Sequence, residues 1–360
     1  MEMHDICEAV LSELGPIVLA TTVYVEGHAY RKQGVSMLFT KDGGMIGSLS
    51  PGCIETDLAL RAEEVLQSGR PQLGLYDMRP EDDLSWGENI GCGGLLHILL
   101  EPVKEDLKRH LTLAKSYLDQ GYSITIRRVW NEPRRYVQHW IEKRETSFKT
   151  EEYSKRKVYP YESKKSDRPV DARSNKEEVY LLHYDPKPRL LIIGAGNDSI
   201  PLVKLAANSG FRVTVADWRE ALCTEERFPD ASILIGFPDE IYRSFQIKEQ
   251  DYVLLMSHQF PKERAFLEKL QHTSYRYLGI LGSRTRASRL LEGLPSFPHL
   301  HTPVGIKIGS EGPEEIAISI AAELIAVKRK KSKNYDEGEE ECSYVDGRDH
   351  TRRRPKSAHG

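Results

Sequence analysis

The segment from Arg189 to Ser199 most constrains what this chain can fold into. Arg189-Leu-Leu-Ile-Ile-Gly194-Ala-Gly196-Asn-Asp-Ser199 reads as a strand, a glycine turn and the start of a helix. The apolar run Leu190–Ile193 has no polar face, so such a strand must be covered on both sides. The chain then alternates. DSIPLVKLAANSG reads as a helix and FRVTVADW as a strand, and ASILIGF, DYVLLMS and YRYLGILGS read as further strands. PKERAFLEKLQ is a helix between the last two, and EGPEEIAISIAAELIAVKRK is a long helix with Pro313 near its start and acids in its first turn. Strand–helix alternation of this kind makes a doubly wound parallel sheet, so residues 189–328 are expected to form a Rossmann-like α/β domain.

The first 105 residues follow a different pattern. A helix over MEMHDICEAVLSELG leads into IVLATTVYV, VSMLFT and MIGSLS, which read as strands, with KDGG as a hairpin turn. Ile54, Leu58, Ala62, Val65 and Leu66 recur at helical spacing, and Gly69 suits the C-cap. PQLGLYDM and IGCGGLLHILLEPV are two more strands, the second entered through a glycine-rich turn. Residues 1–105 therefore read as a small α/β domain. Residues 106–188 read as a helix, a hairpin (SITIRRVW and RRYVQHWIEK) and a charged linker over Lys149–Lys176, then a strand at EEVYLLHYD. Residues 329–360 run basic, acidic and basic again, as a disordered charged tail does.

Composition excludes several classes. The chain has 360 residues, 51 Lys+Arg and 54 Asp+Glu, a net charge of −3 without the basic excess of a nucleic-acid binder. No apolar run approaches the ~20 residues needed to span a membrane, and four acids in the first helix argue against a signal peptide, so a cytoplasmic protein with reduced thiols is expected. Cys7, Cys53, Cys92, Cys223 and Cys342 are scattered, with no C-x-x-C pair, which argues against a zinc ribbon, a four-thiolate cluster or a disulfide framework.

The local motifs each leave two readings open. The Gly194–Ser199 turn can present backbone N–H groups to a phosphate, and Asp217, closing the next strand, stands where an acid binds a ribose hydroxyl; a dinucleotide is one reading, a Rossmann-like fold without one is the other. Ser199 occupies the place of the third glycine and is expected to loosen helix–strand contact. Cys53 follows a Pro-Gly turn at a helix start, which would lower its pKa, and Cys92 lies in Gly91-Cys92-Gly93-Gly94; both are candidate sulfur or metal contacts or simply cysteines in tight turns. Arg31 and Lys32 can meet an anion or stay solvated. Gly282, Ser283 and Arg284 follow a strand and can hold a phosphate or ring edge, or form a helix cap with a solvated arginine. His258, also at a strand end, is a proton carrier, a ligand or a capping residue.

Taken together these elements resemble the XdhC/CoxI family of xanthine dehydrogenase accessory proteins. The resemblance rests on Gly27…Arg31…Gly34, Met37-Leu38-Phe39, Gly47-Ser48…Gly52-Cys53-Ile54-Glu55 and Gly91–Gly94, and further on Pro188–Gly196, Asp217-x-Arg219, Gly279–Arg284 and Gly305…Ala317. It implies a protein that binds the molybdenum cofactor, supports its sulfuration by a cysteine desulfurase and helps insert it into xanthine dehydrogenase or a related molybdenum hydroxylase, working as a homodimer in purine catabolism. Under that reading Gly194, Gly196, Asn197, Asp217, Arg31, Gly282, Ser283 and Arg284 contact the cofactor, and Cys53 or Cys92 faces the molybdenum or a sulfur in transit. The chain departs from the family at Ser257-His258-Gln259-Phe260, where Thr-His-Asp-His is usual, at Lys32, Pro51 and Asn197. An NAD(P)-dependent oxidoreductase remains the alternative, resting on the glycine turn and Asp217. A xanthine dehydrogenase catalytic subunit does not fit: its two iron–sulfur clusters need about eight cysteine ligands, and five are present.

Overall fold

The computed structural model describes residues 2–79, 94–131, 136–144 and 177–329. Cys92, the whole charged Lys149–Lys176 stretch and the tail beyond Arg329 lie outside the described residues.

The carboxyl-terminal part is a six-stranded parallel sheet. Its strands are β9 (Arg189–Ile193), β10 (Arg212–Asp217), β11 (Ser232–Ile235), β12 (Tyr252–Leu255), β13 (Tyr277–Ile280) and β14 (Leu300–His301), in the order β11-β10-β9-β12-β13-β14. Strand β9 is central, and its period-2 side chains sort onto two cores. Leu190 and Ile192 pack beneath α4 (Ser199–Asn208) and α8 (Gly312–Arg329), while Leu191 and Ile193 pack beneath α5 (Pro238–Phe245) and α6 (Phe260–Leu270). All four are at most 2% exposed. The unbroken apolar run is thus explained: both faces of the strand are interior.

The amino-terminal part is an antiparallel sheet of five strands, ordered β3-β2-β1-β5-β4: β1 (Ile17–Gly27), β2 (Ser36–Thr40), β3 (Met45–Ile46), β4 (Gln72–Asp77) and β5 (Gly94–Pro102). In β1, Ile17, Leu19 and Val23 face one core and Val18 and Ala20 the other. A bulge between Thr22 and Tyr24 then swaps the faces, so that Val25 joins the side of Val18. Helix α2 (Glu55–Ser68) covers that side, ending on Gly69 in the left-handed conformation, φ 63°. Its buried residues include Leu58, Ala62 and Val65.

The opposite face carries α1 (Met3–Ser12), α3 (Glu105–Asp119) and a second antiparallel sheet of β7 (Tyr136–Arg144), β6 (Ser123–Asn131) and β8 (Glu177–Tyr184). One apolar cluster runs through these elements, from Met3 and Cys7 to Leu111, Trp130 and Tyr184, so a single core spans residue 105. A buried ion pair, Arg128 to Glu101 at 2.7 Å, joins β6 to β5, and His139 of β7 reaches the other Glu101 oxygen at 2.6 Å. Burial in this core pushes the Cys7 thiol up to about 12, which leaves it a small inert hydrophobe.

Candidate functional site

In a doubly wound sheet ligands sit at the carboxyl ends of the strands, where the order reverses. Here that edge is built by the turns that follow β9, β10, β12 and β13. The β9 turn begins at Gly194, φ 126°. A Cβ there would stand 2.6 Å from the Met256 carbonyl carbon and the Ser257 nitrogen, so only glycine lets β9 and β12 diverge at this point. Gly196 differs, since a Cβ on it would meet nothing within 4 Å. The space beside Gly196 is open, and the N–H groups of Gly196, Asn197 and Asp198 have no hydrogen-bond partner among the described residues.

The rest of the turn is closed on itself. Ser199 is fully buried and its hydroxyl donates to the Gly194 carbonyl at 2.6 Å. It therefore tightens the turn, against the expectation that it loosens helix–strand contact; serine supplies a hydrogen bond where a third glycine would supply only closeness. The Ser199 and Ile200 N–H groups are used by the Gly196 and Asn197 carbonyls, and Pro201 has none. Anion binding at this helix start thus falls to residues 196–198. Asn197 is itself held, its Oδ1 accepting from Arg227, which also donates to the Ala195 carbonyl at 2.8 Å.

Asp217 is fully buried. Its carboxylate accepts the Ala195 N–H at 2.8 Å and a bidentate pair from Arg219 at 2.9 and 2.7 Å. Burial opposes ionisation, but these hydrogen bonds outweigh it and hold the carboxyl below its ordinary range. Both oxygens are engaged, so a ribose hydroxyl could reach this acid only by displacing Arg219 or the turn itself. The role the sequence suggested for Asp217 is taken by a structural one.

At the end of β12, His258 sits in the left-handed region at φ 57°, an uncommon state for a non-glycine residue. Buried Glu263 holds it there, accepting the His258 N–H at 3.1 Å, the Ser257 hydroxyl at 3.0 Å and Arg286 at 2.6 Å. The His258 ring, half exposed, lies 3.1 Å from Asp198 of the glycine turn. Sequence reasoning missed Glu263, Arg286, Arg227 and Asp198, because the pairs that bring them together, Glu263–Arg286, Arg227–Asn197 and Asp198–His258, join residues at least 23 apart. Ser283 is the N-cap of α7 (Arg284–Leu291), accepting the Arg286 N–H at 3.2 Å, and Arg284 is exposed. Of the two readings for this turn, the cap is the one realised by Ser283. Gly282 has φ 128°.

A second group of candidates meets at one end of the amino-terminal sheet. The loop between β1 and β2 carries Arg31, and Gly94, which opens β5, pairs with Gly27 and would crowd the His28 carbonyl if it bore a Cβ. Arg31 is half-buried and its Nε is buried with no hydrogen-bond partner in the described structure. Lys32, beside it, is exposed. The Cys53 turn packs on the same core as Val25, Ala29 and Val35. Glu55 closes this turn: its carboxylate accepts the Leu49 and Ser50 N–H groups, at 3.2 and 2.7 Å, and the Ser50 hydroxyl. The Glu55 carboxyl is held low, its burial outweighed by these bonds. Cys53 stands just before the Ile54 N-cap and is partly accessible, with Gly52 beside open space.

The stretch Lys32–Ser36, just past Arg31, borders the amino ends of the parallel strands. A cavity of about 720 Å³ between the two halves is lined by Gly34, Tyr184, Arg189, Arg212, Tyr252 and Arg276, among others. Arg189, Arg212, Tyr252 and Arg276 lie at the amino ends of their strands or just before. The glycine turn lies past the other end of β9, five residues or roughly 15 Å away. The stretch Lys32–Ser36 lines this cavity and the Gly194–Asp198 turn does not.

Comparison with known proteins decides the family. Residues 190–324 match the XdhC Rossmann domain, and residues 11–77 match the XdhC and CoxI family model. A protein of Bacillus subtilis (strain 168), named as a probable xanthine dehydrogenase subunit, is 38% identical across 91% of this chain and 98% of its own length. The chain belongs to the XdhC and CoxI family. A more distant relative, the "Molybdenum cofactor insertion chaperone PaoD" of Escherichia coli (strain K12), is 24% identical over 89% of this chain and 86% of its own. A crystal structure described as a xanthine dehydrogenase from Bacillus halodurans superposes with a TM-score of 0.76 and 37% identity, covering 94% of this chain and 98% of the other. This family member keeps the Rossmann turn and the Cys53 turn that carried the resemblance. Among the described residues no group of three or more His, Cys, Asp or Glu is arranged to hold a metal ion, and no helix is long and apolar enough to cross a membrane.

Proposed function

We propose that this chain binds the molybdenum cofactor as cargo, supports its sulfuration and helps insert it into xanthine dehydrogenase or a related molybdenum hydroxylase. The observation that carries this reading is the Gly196–Asp198 turn: three N–H groups without partners beside open space, at the ligand edge of the sheet. Such a turn suits the phosphate of a molybdopterin. The family, and a relative named as an insertion chaperone, agree with it. Cys53 would take the sulfur or meet the metal, with a cysteine desulfurase as donor, and the unpartnered Arg31 Nε would face an anionic group at the same end. The stretch Lys32–Ser36 borders the amino ends of the parallel strands while the glycine turn lies past the carboxyl end of β9, and a homodimer would let the two regions serve one cofactor.

Co-purification tests this. The parent is expected to retain molybdenum and pterin and to activate the apo-dehydrogenase, and Cys53→Ala to lose activation. Full retention of cofactor and activation by Cys53→Ala removes Cys53 from the mechanism; absence of cofactor from the parent removes the reading. The Asp217 carboxylate is engaged by Arg219, which lends the NAD(P) alternative less support. Titration with NADH checks it, and no fluorescence change at millimolar dinucleotide leaves it without support.

A further inference from the structure

The edge that carries the glycine turn also carries an aromatic and cationic cluster that the function above does not use. Trp218 directly follows β10, and Phe237 follows β11 as the N-cap of α5. Lys262, from the first turn of α6, brings its ammonium 4.0 Å from the Phe237 ring centre and 5.5 Å from that of Trp218. The backbone fixes this arrangement. The Gly236 N–H donates to the Asp217 carbonyl at 3.1 Å, and the Phe237 N–H donates to Glu240 at 2.7 Å. Helices α5 and α6 pack side by side on one face of the sheet, so their first turns meet at its carboxyl edge.

Two features set the cluster apart from ordinary surface. Phe237 is 51% exposed and neighbouring Ile235 46%, an apolar opening at a rim where polar residues would cost nothing. Lys262 has no carboxylate partner among the described residues, although acids surround it in sequence at Glu263 and Glu268. Those two are taken by Arg286 and Arg264. The Arg219 guanidinium also lies 4.8 Å from the Trp218 ring centre, but it is held by Asp217, whereas the unpaired Lys262 ammonium retains free N–H donors beside the two rings.

We propose that Trp218, Phe237 and Lys262 form the seat for a planar heteroaromatic ring bearing a carbonyl oxygen, in a ligand whose phosphate lies on the Gly196–Asp198 turn. The proposal rests on the cofactor reading and adds the part of the cargo that is recognised. The end of β9 is separated from those of β10 and β11 by one and two strand spacings, so ring and phosphate would lie roughly 5–10 Å apart. The rings supply stacking surface, which any flat heterocycle can use. Lys262 supplies a donor, which a ring carbonyl accepts. A 4-oxopterin has that oxygen; adenine has none. The seat therefore favours oxo-heterocycles, whose carbonyl oxygen is the stronger acceptor, over adenine, which offers the ammonium only ring nitrogens.

The test is a fluorescence titration of the full chain with a pterin carrying an alkyl phosphate at C6, the same pterin without phosphate, and AMP. The phosphopterin is expected to bind about tenfold more tightly than AMP. Phe237→Leu, which keeps bulk and loses the flat face, and Lys262→Met, which keeps the stem and loses the charge, are each expected to weaken phosphopterin binding roughly tenfold with an unchanged circular dichroism spectrum. If both variants bind phosphopterin as tightly as the parent, the seat is wrong while cofactor co-purification still stands on its own. If AMP binds as tightly as phosphopterin, selection by Lys262 is wrong. If the parent binds no phosphopterin, the seat is overturned, and co-purification of intact cofactor decides separately whether the cofactor reading falls with it.

Discussion

Two glycine turns, one in each half of the molecule, share a local design and differ in what surrounds them. Gly52 and Gly194 have nearly the same φ, 123° and 126°. Each turn is closed by a carboxylate that accepts backbone N–H groups, Glu55 in the first and Asp217 in the second. Yet a side chain on Gly52 would meet nothing within 4 Å, while one on Gly194 would collide with the backbone between Met256 and Ser257. The Gly194 turn is wedged into a six-stranded sheet, whereas the Gly52 turn stands open with a partly accessible cysteine. The same turn is a packing device in one place and an exposed platform in the other.

The largest expected effect follows from that contrast. Gly194→Ala combines an unfavourable φ with a clash against main chain that cannot move aside, and should cost about 4 kcal/mol. Gly52→Ala meets only the conformational penalty and should cost about 1–2 kcal/mol. Urea unfolding of the two variants measures both; equal losses would break the distinction.

Asp217→Asn should come next, at roughly 2 kcal/mol, because it removes a charge-assisted bidentate pair and leaves Arg219 partly unpaired. The figure is kept low because Arg219 is about a third exposed. Its pH dependence has a definite sign. The Asp217 carboxyl is held below its ordinary value in the folded state, so its stabilisation is complete above about pH 4 and is lost as pH falls through the lowered value. Acid unfolding of Asp217→Asn should therefore be flatter below that pH than that of the parent. Glu55→Gln should cost less, about 1 kcal/mol, since its partners are neutral and an amide oxygen can still accept from them.

How far the sequence revealed this contrast depends on range. The apolar run of β9 and the alternation that follows it made the parallel sheet legible, since periodicity is local. The Gly69 cap and the β2–β3 hairpin were legible for the same reason. The Ser199 hydroxyl was read as a defect because its partner, Gly194, belongs to a turn whose curvature only the fold defines. Asp217 is legible at the strand end, where a ligand role and a fold without a dinucleotide both stay open, and Arg219, two residues on, engages its carboxylate. Glu263 was invisible as a site residue. Its burial and its three partners arise from β12, α6 and α7 meeting at one edge. Local pattern announces elements and turns, and only packing decides which polar groups are already spent.

The smallest stability effect should be the most informative about function. Cys53 is partly accessible, and replacing its thiol by a hydroxyl removes little packing. Cys53→Ser should change stability by less than about 0.5 kcal/mol. Gly196→Ala should be as mild, since the new methyl meets open space. If the two turns serve one cofactor, both variants should fold as the parent does and both should lose cofactor or activation. Loss in Gly196→Ala alone would assign binding to the Rossmann turn and reduce the Cys53 turn to structure. Loss in Cys53→Ser alone would mean that the open space beside Gly196 is not where the phosphate lies. Mixing the two inactive variants sharpens the test further: in a dimer whose site is built from one turn of each chain, half of the mixed dimers' sites carry both defects and half carry neither, so activity should partly return. Sites built within single chains would give no such recovery.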